Sequence, residues 1–246
     1  MRSRRTLLAP AYLLHAQPYR DTSRILEVLT REEGRLSVFA RGVRGPKAKL
    51  ASLLQPFQPL LISFSSRGEA AQLMGAESGA ARHPVRLPPA ALLSGFYLNE
   101  LLMKLTTRHD PNVGLFDAYQ DALLALTAGQ AQEPVLRSFE LRLLQEAGYG
   151  VELTHTVTGG PVLAQGYYQF RPADGLFAST AGHSGAVHGS SLLNLAAGTL
   201  HGSRELADAR RVLAAALGHC LEGRPIATRA VARACLGTAL LPEPEH

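Results

Sequence analysis

Nine consecutive residues, Arg41-Gly42-Val43-Arg44-Gly45-Pro46-Lys47-Ala48-Lys49, carry four cations, two glycines and a proline, and no carboxylate. The chemistry open to such a segment is electrostatic. Guanidinium and ammonium groups that contact a phosphate backbone release its condensed counterions and position the strand without reading its sequence. Charge alone leaves a second reading open, a solvated surface loop. The surrounding residues bear on the choice. Residues 1–50 hold eleven Lys and Arg against four Asp and Glu, a net +7, whereas the whole chain is +5 and the remainder −2. The positive field is therefore an N-terminal property, the footprint expected of a nucleic-acid surface. Arg41, Arg44, Lys47 and Lys49 are the candidate backbone clamps, and Arg20, Arg24 and Arg35 extend the patch. A targeting peptide would also be basic, but Asp21 and strand-like patterning from position 7 do not fit one.

Single-strand binders also need aromatic platforms on which bases stack. The chain has no Trp, and its barrel-region aromatics include Tyr12, Tyr19, Phe39 and Phe57. Tyr19, between Pro18 and Arg20 at a turn, is the stacking candidate, with packing at a rim as the other reading. Phe39, next to Val38, is a core candidate. Covalent chemistry finds less support. The 42–48 segment lacks the GxxxxGK[ST] spacing of a phosphate-cradling loop, and no helix follows it. Gly182-His183-Ser184-Gly185 is not a GxSxG elbow. Asp117 with Asp121 and Glu140 with Glu146 fall on helical stretches, where solvated faces or ion pairs with Arg are the ordinary outcome.

The elements that must position these residues change character along the chain. Arg5–Ala16, Ser23–Leu29, Arg35–Ala40, Leu60–Phe64 and Ala71–Glu77 read as short strands separated by Gly and Pro. Five strands in about 75 residues suit a small closed barrel of the OB type. From Leu87 the apolar period becomes helical, through Leu105, then over Val113–Ala128, then over a third helix that starts near Pro134 and stops at Gly148. Residues 151–185 are rich in Gly, Thr, Ser and His, with β-like pieces at Gly166–Phe170 and Leu176–Phe177. Helical pattern returns at Ser190–Ala197, Arg204–Gly218 and Thr228–Gly237. The tail from Leu241 to His246 reads as frayed.

The bulk numbers agree. Hydrophobic residues make up 46% and charged ones 18%, a globular balance. No apolar run reaches the roughly 20 residues of a membrane span. The two cysteines, Cys220 and Cys235, form no CxxC and read as small core residues, so a reducing cytoplasm is the expectation.

In order and spacing the chain resembles the RecO family of recombination mediators. The resemblance is carried by Tyr19-Arg20-Asp21-Thr22-Ser23-Arg24-Ile25-Leu26, by Thr30 through Gly34, by the basic loop and by Leu54-Gln55-Pro56-Phe57. It continues with Phe96-Tyr97-Leu98-Asn99-Glu100-Leu101-Leu102, Leu115-Phe116, Leu136-Arg137-Ser138-Phe139-Glu140-Leu141 on to Leu144 and Gly148-Tyr149, and Gly223-Arg224-Pro225-Ile226-Ala227-Thr228-Arg229. It implies an α+β chain: a five-stranded OB-fold β-barrel, then an α-helical domain with a small ribbon-like β insertion. The expected boundaries are 1–80 for the OB domain, 81–150 and 186–246 for the helical domain, and 151–185 for the insertion.

The same resemblance implies a non-enzymatic, cytoplasmic, nucleoid-associated protein without a cofactor. Such a protein binds single- and double-stranded DNA, anneals complementary strands without ATP, and with RecR helps load RecA onto DNA coated by single-stranded DNA-binding protein. The acidic C-terminal tail of that coating protein is an expected ligand of the helical domain, with Arg137, Arg142, Arg210 and Arg211 as candidate receivers. Many relatives carry a four-cysteine zinc ribbon in the insertion; here Thr156, Gly159, Ala178 and Ala181 stand at those positions, and none ligates zinc. His155, His183, His188 and His201 show no ligand spacing and read as surface histidines. Two other readings remain open from the residues: a general OB-fold nucleic-acid-binding module, RNA included, on a helical scaffold, and an enzyme built on the insertion, with His155 or His183 essential.

Overall fold

A strand of sixteen residues, β1 (Arg4–Tyr19), is longer than one neighbour can use, and it serves two. Its first part pairs with β4 (Pro59–Arg67) from Arg4 to Tyr12, and its second part with β2 (Ser23–Thr30) from Ala11 to Tyr19. Register shifts between Thr6 and Ala9, and between Leu13 and His15, bend the strand at both transitions. With β3 (Gly34–Ala40) and β5 (Ala70–Ser78) the sheet closes in the order β1-β2-β3-β5-β4. Closure is made by a short parallel pairing of Val38 with Ala71 and Phe39 with Gln72. The computed structural model describes residues 4–43, 50–67, 70–79 and 86–236, so the expected frayed tail and the end of the last helix at Gly237 lie outside the described residues.

Alternation fills the barrel. Leu13, Leu26, Val28, Leu36, Val38, Leu60, Ile62 and Phe64 are all buried inside it. Because paired strand residues point to the same face, Ile25 and Phe39, and Glu27 and Ser37, share the opposite, outer face of β2 and β3.

After a 3-10 turn at Pro89–Ala91 come α1 (Leu92–Leu105) and α2 (Val113–Thr127). They pack with the barrel in one compact unit, Met1–Ala128. Buried Asn99 of α1 donates to the Leu14 carbonyl at 2.8 Å and accepts from the Tyr119 hydroxyl at 2.5 Å. Tyr12 stands on the edge of Tyr119, with centroids 5.2 Å apart. Burial pushes the Tyr12 phenol up to about 12. Asn112 caps α2 by accepting from the Leu115 amide at 2.8 Å.

The second unit, Gly129–His246, holds α3 (Gln132–Glu146), a three-stranded antiparallel sheet, α4 (Gly189–Ala197), α5 (Ser203–Cys220) and α6 (Ala227–Leu236). The sheet order is β7 (Gly175–Ser179), β6 (Tyr167–Arg171), β8 (Val187–His188). Gly189 starts α4 where a Cβ would lie 1.9 Å from the Leu163 carbonyl oxygen, so the ribbon-like piece and α4 meet backbone to backbone. At Thr156 and Gly159, the first two positions that the resemblance aligned with zinc ligands, a hydrogen-bonded turn stands. The Thr156 amide donates to the Gly160 carbonyl at 2.8 Å, the Gly159 amide to the Thr156 carbonyl at 2.8 Å, and the Val157 amide to Leu176 at 2.9 Å. Thr156, Gly159, Ala178 and Ala181 offer no ligand, and among the described residues no three His, Cys, Asp or Glu side chains gather to hold a metal. No helix among the described residues is long and apolar enough to cross a membrane. Cys220 is half-buried, and burial pushes its thiol up; the side chain of Cys235 is outside the described set.

Candidate nucleic-acid interface

The outer face of β2 and β3 carries the candidate site. Tyr19, at the end of β1, is 38% exposed and meets the half-buried ring of Phe39 edge to face, with centroids 5.3 Å apart. Phe39 is thus not a core residue as its neighbours suggested. It pairs with Ile25 on the outer face, while Val38 and Ala40 point inward. Each ring has a cation: the Arg20 guanidinium lies 5.5 Å from the centroid of Tyr19, and that of Arg41 lies 5.6 Å from the centroid of Phe39. Both distances are within the roughly 6 Å reach of a cation–π contact. Arg20 takes a left-handed backbone, φ 51°, at the turn into β2. Together with Asp21, Thr22, Ser23 and Phe39, the two arginines line a shallow cleft of about 400 Å³.

The other predicted clamp residues have different fates. Arg24 pairs with Ala40 on the same face as Leu26 and Val28, so it is half-buried and on the opposite side of β2 from the aromatic pair. Arg44, Lys47 and Lys49 lie outside the described residues. Arg35 is a correction. It is only 9% exposed and all three of its guanidinium nitrogens are committed: Nη1 to Glu27 at 2.8 Å, Nε to the Thr106 hydroxyl at 3.0 Å, and Nη2 to the Thr106 carbonyl at 2.7 Å. A buried guanidinium held by a carboxylate and two oxygens is a structural group. It ties the barrel to the segment after α1, and its burial keeps it from a phosphate.

That segment is what the sequence reading missed. Arg108 places Nη2 on Glu27 Oε1 at 2.5 Å and Nε on Oε2 at 3.3 Å, so the Glu27 carboxylate sits between two guanidiniums. The His109 amide donates to the Arg35 carbonyl at 3.0 Å. Gly34, φ +71°, makes this approach possible, because a Cβ there would lie 2.3 Å from the Asp110 carbonyl oxygen. The Thr30 hydroxyl fixes the turn by donating to the Gly34 carbonyl at 2.8 Å and accepting from the Glu33 amide at 3.2 Å.

In the second unit the candidate receivers of an acidic tail are mostly engaged. Arg137 is 1% exposed and bonded at 2.7 Å to Glu140, itself fully buried, which removes it as a surface receiver. Arg142 meets Glu146 at 2.7 Å, and Arg210 meets Glu133. Arg211 donates to the Ala186 carbonyl at 3.1 Å and lies 3.7 Å from Asp208. The insertion histidines are dispersed. His155 is 3.9 Å from Glu152, whose carboxyl is held low by hydrogen bonds from the Thr154 hydroxyl and amide. His183 Nδ1 contacts the Ser184 carbonyl, and His188 Nδ1 contacts the Ser190 hydroxyl, each at 2.7 Å.

A closed five-stranded barrel of this strand order defines the OB class, here with an aromatic pair and arginines on its outer face and followed by helices and a small sheet. Comparison with known proteins is more specific. Residues 1–79 match the family described as "Recombination protein O N terminal", and residues 87–230 match "Recombination protein O C terminal". The chain is 43% identical over 227 residues to the DNA repair protein RecO of Azoarcus sp. (strain BH72), covering 90% of this chain and 93% of that protein. It is 43% identical over 230 residues to the DNA repair protein RecO of Methylococcus capsulatus, covering 93% and 94%. With the protein of the same name from Pseudoalteromonas atlantica the identity is 42% over 220 residues, covering 89% and 90%. The chain belongs to the recombination protein O family.

Proposed function

We propose that this chain is a DNA repair mediator. It binds single- and double-stranded DNA through the barrel, anneals complementary strands without ATP, and with RecR helps load RecA onto DNA coated by single-stranded DNA-binding protein. The observation that carries this reading is the Tyr19–Phe39 pair, flanked by Arg20 and Arg41 and contiguous in sequence with the basic 44–49 segment. Family membership and the names of the relatives support the repair role.

The mechanism is physical, with no catalytic residue. Two strands approaching each other repel through their phosphates. Cations that neutralise both backbones lower that repulsion and raise the local strand concentration. Aromatic rings hold bases of an unpaired strand in reach of a complement without fixing their identity. No nucleotide is hydrolysed, because pairing itself is downhill once repulsion is screened. The barrel at 1–80 is assigned to DNA, and the helices at 81–150 and 186–246 to protein partners and scaffolding. The 151–185 insertion keeps a ribbon shape by hydrogen bonds rather than metal. The acidic tail of single-stranded DNA-binding protein is assigned to exposed cations of the helical half, Arg142 and Arg211 among them. Such a protein acts in the cytoplasm, at the nucleoid.

The test is annealing of complementary oligonucleotides without ATP or metal across a salt series, for the wild type and for Arg41→Ala/Arg44→Ala/Lys47→Ala/Lys49→Ala. The expected result is salt-sensitive annealing that collapses in the variant. Four lost contacts would shallow the single-strand binding slope by about three units, at roughly 0.7 per phosphate. Annealing unchanged by the four substitutions would move the DNA path off this loop. Binding without annealing by the wild type would leave a plain nucleic-acid-binding module.

A further inference from the structure

We propose that the linker between α1 and α2, residues 106–110, is the second wall of a cleft that holds one unstacked base of single-stranded DNA, with Arg108 reaching the adjoining phosphate. This rests on the reading of the barrel as the DNA surface, and it adds a site and residues to it. The cleft is bounded by Tyr19 and Phe39 on one side, by Ile25, Ser37 and Ala71 of the strands, and by Thr107, Arg108 and His109 of the linker. Its volume is about 730 Å³. Sites for single small ligands run from roughly 300 to 1,000 Å³, so one base with its sugar has room.

Three features make the linker a built wall rather than a passing loop. Arg35 grips Thr106 through both its hydroxyl and its carbonyl. The His109 amide is bonded to the β3 backbone. Gly34 lets Asp110 approach closer than any side chain allows. Arg108 is then oriented by Glu27 through Nε and Nη2, which leaves Nη1 without a partner among the described residues on a side chain that is 53% exposed. Glu27 acts here as a positioning residue, saturated by two guanidiniums and unable to repel an incoming phosphate strongly.

The occupant follows from the lining. Arg108 lines the cleft, and Arg20 and Arg41 line the neighbouring one that shares Phe39, against Asp21 in that second cleft and the neutralised Glu27. An acidic peptide would satisfy the cations but brings a ring only where it carries an aromatic side chain, whereas every nucleotide brings one. A duplex presents phosphates but keeps its base faces in the stack. Single-stranded DNA supplies both a phosphate and an unstacked ring.

The experiment is equilibrium binding of the full-length chain to three labelled probes: an oligothymidine, an abasic strand of equal length, and a duplex. The wild type is expected to prefer the oligothymidine to the abasic strand by roughly ten-fold. Ser37→Leu fills the cleft without changing charge or adding a ring; it should abolish that preference and leave duplex affinity as it was. Arg108→Gln should weaken both single strands alike and shallow their salt slope by about 0.7. Tyr19→Leu, at an exposed position, reads the same base preference should Ser37→Leu not fold. A base preference that survives both cleft variants, or its absence in the wild type, overturns the proposal while DNA binding stands. No binding of any probe by the wild type overturns the DNA-surface reading itself.

Discussion

The arginines of the barrel face and those of the second unit have the same formal charge and opposite situations. Arg20 and Arg41 are exposed and lie over aromatic rings, whereas Arg137 is buried against Glu140, and Arg142 and Arg210 each face a carboxylate. A buried cation held by a carboxylate gains little from a phosphate, because it must first lose both its partner and its packing. Burial together with pairing, more than charge count, decides which arginines can act as a nucleic-acid surface. Arg35 makes the same point inside the barrel, since it is surrounded in sequence by the basic patch yet behaves like Arg137.

The largest effect expected from this contrast is on stability. Arg137→Ala strands the fully buried Glu140 carboxylate without its guanidinium, and breaking such a pair costs about 3–5 kcal/mol. A urea midpoint that falls steeply, with an unaltered salt slope for DNA binding, is the expected outcome; a mild loss would mean the pair is easily replaced. Gly34→Ala comes next. A left-handed alanine alone costs about 1–2 kcal/mol, and its Cβ would also collide with the Asp110 carbonyl, so thermal stability and the cleft should both suffer. If the midpoint is unmoved, the close approach of the linker does not exist.

Alkaline titration gives a third measure, on the barrel unit. Tyr12 is pushed up to about 12 by burial, so its neutral form is favoured in the folded state. Its contribution is full below pH 10 and is lost as pH rises through 12, because only the unfolded phenol ionises in between. Tyr12→Phe should flatten that part of the stability curve, as read by circular dichroism midpoints at stepped pH. The smallest expected effect is that of Arg142→Ala with Arg211→Ala. With these side chains already engaged in the second unit, single-strand affinity should change less than two-fold. A loss as large as that of the four barrel-loop substitutions would erase the contrast drawn here.

Much of the frame was legible in the residues. The five strands, the switch to helical period near Leu87 and the return of helix after residue 186 follow from alternation, from 3.6-residue spacing and from Gly and Pro punctuation, all local properties. Tyr19 was named as a candidate from its place at a turn beside Arg20, and it is exposed there. Phe39 was misread because adjacent strand residues look alike until inside and outside are assigned, and only barrel closure assigns them. The fate of Arg35 and the role of Arg108 could not be read locally. Glu27, Arg35, Thr106 and Arg108 are brought together across up to 81 positions of sequence.

The sequence by itself therefore determined the order of elements, the N-terminal location of the positive field and the absence of zinc-ligating side chains at Thr156, Gly159, Ala178 and Ala181, since each depends on residue type and local spacing. Tertiary structure decided which cations remain available. Burial makes an unpaired charge costly and draws distant carboxylates and carbonyls to it, and that partnership exists only once the chain has closed.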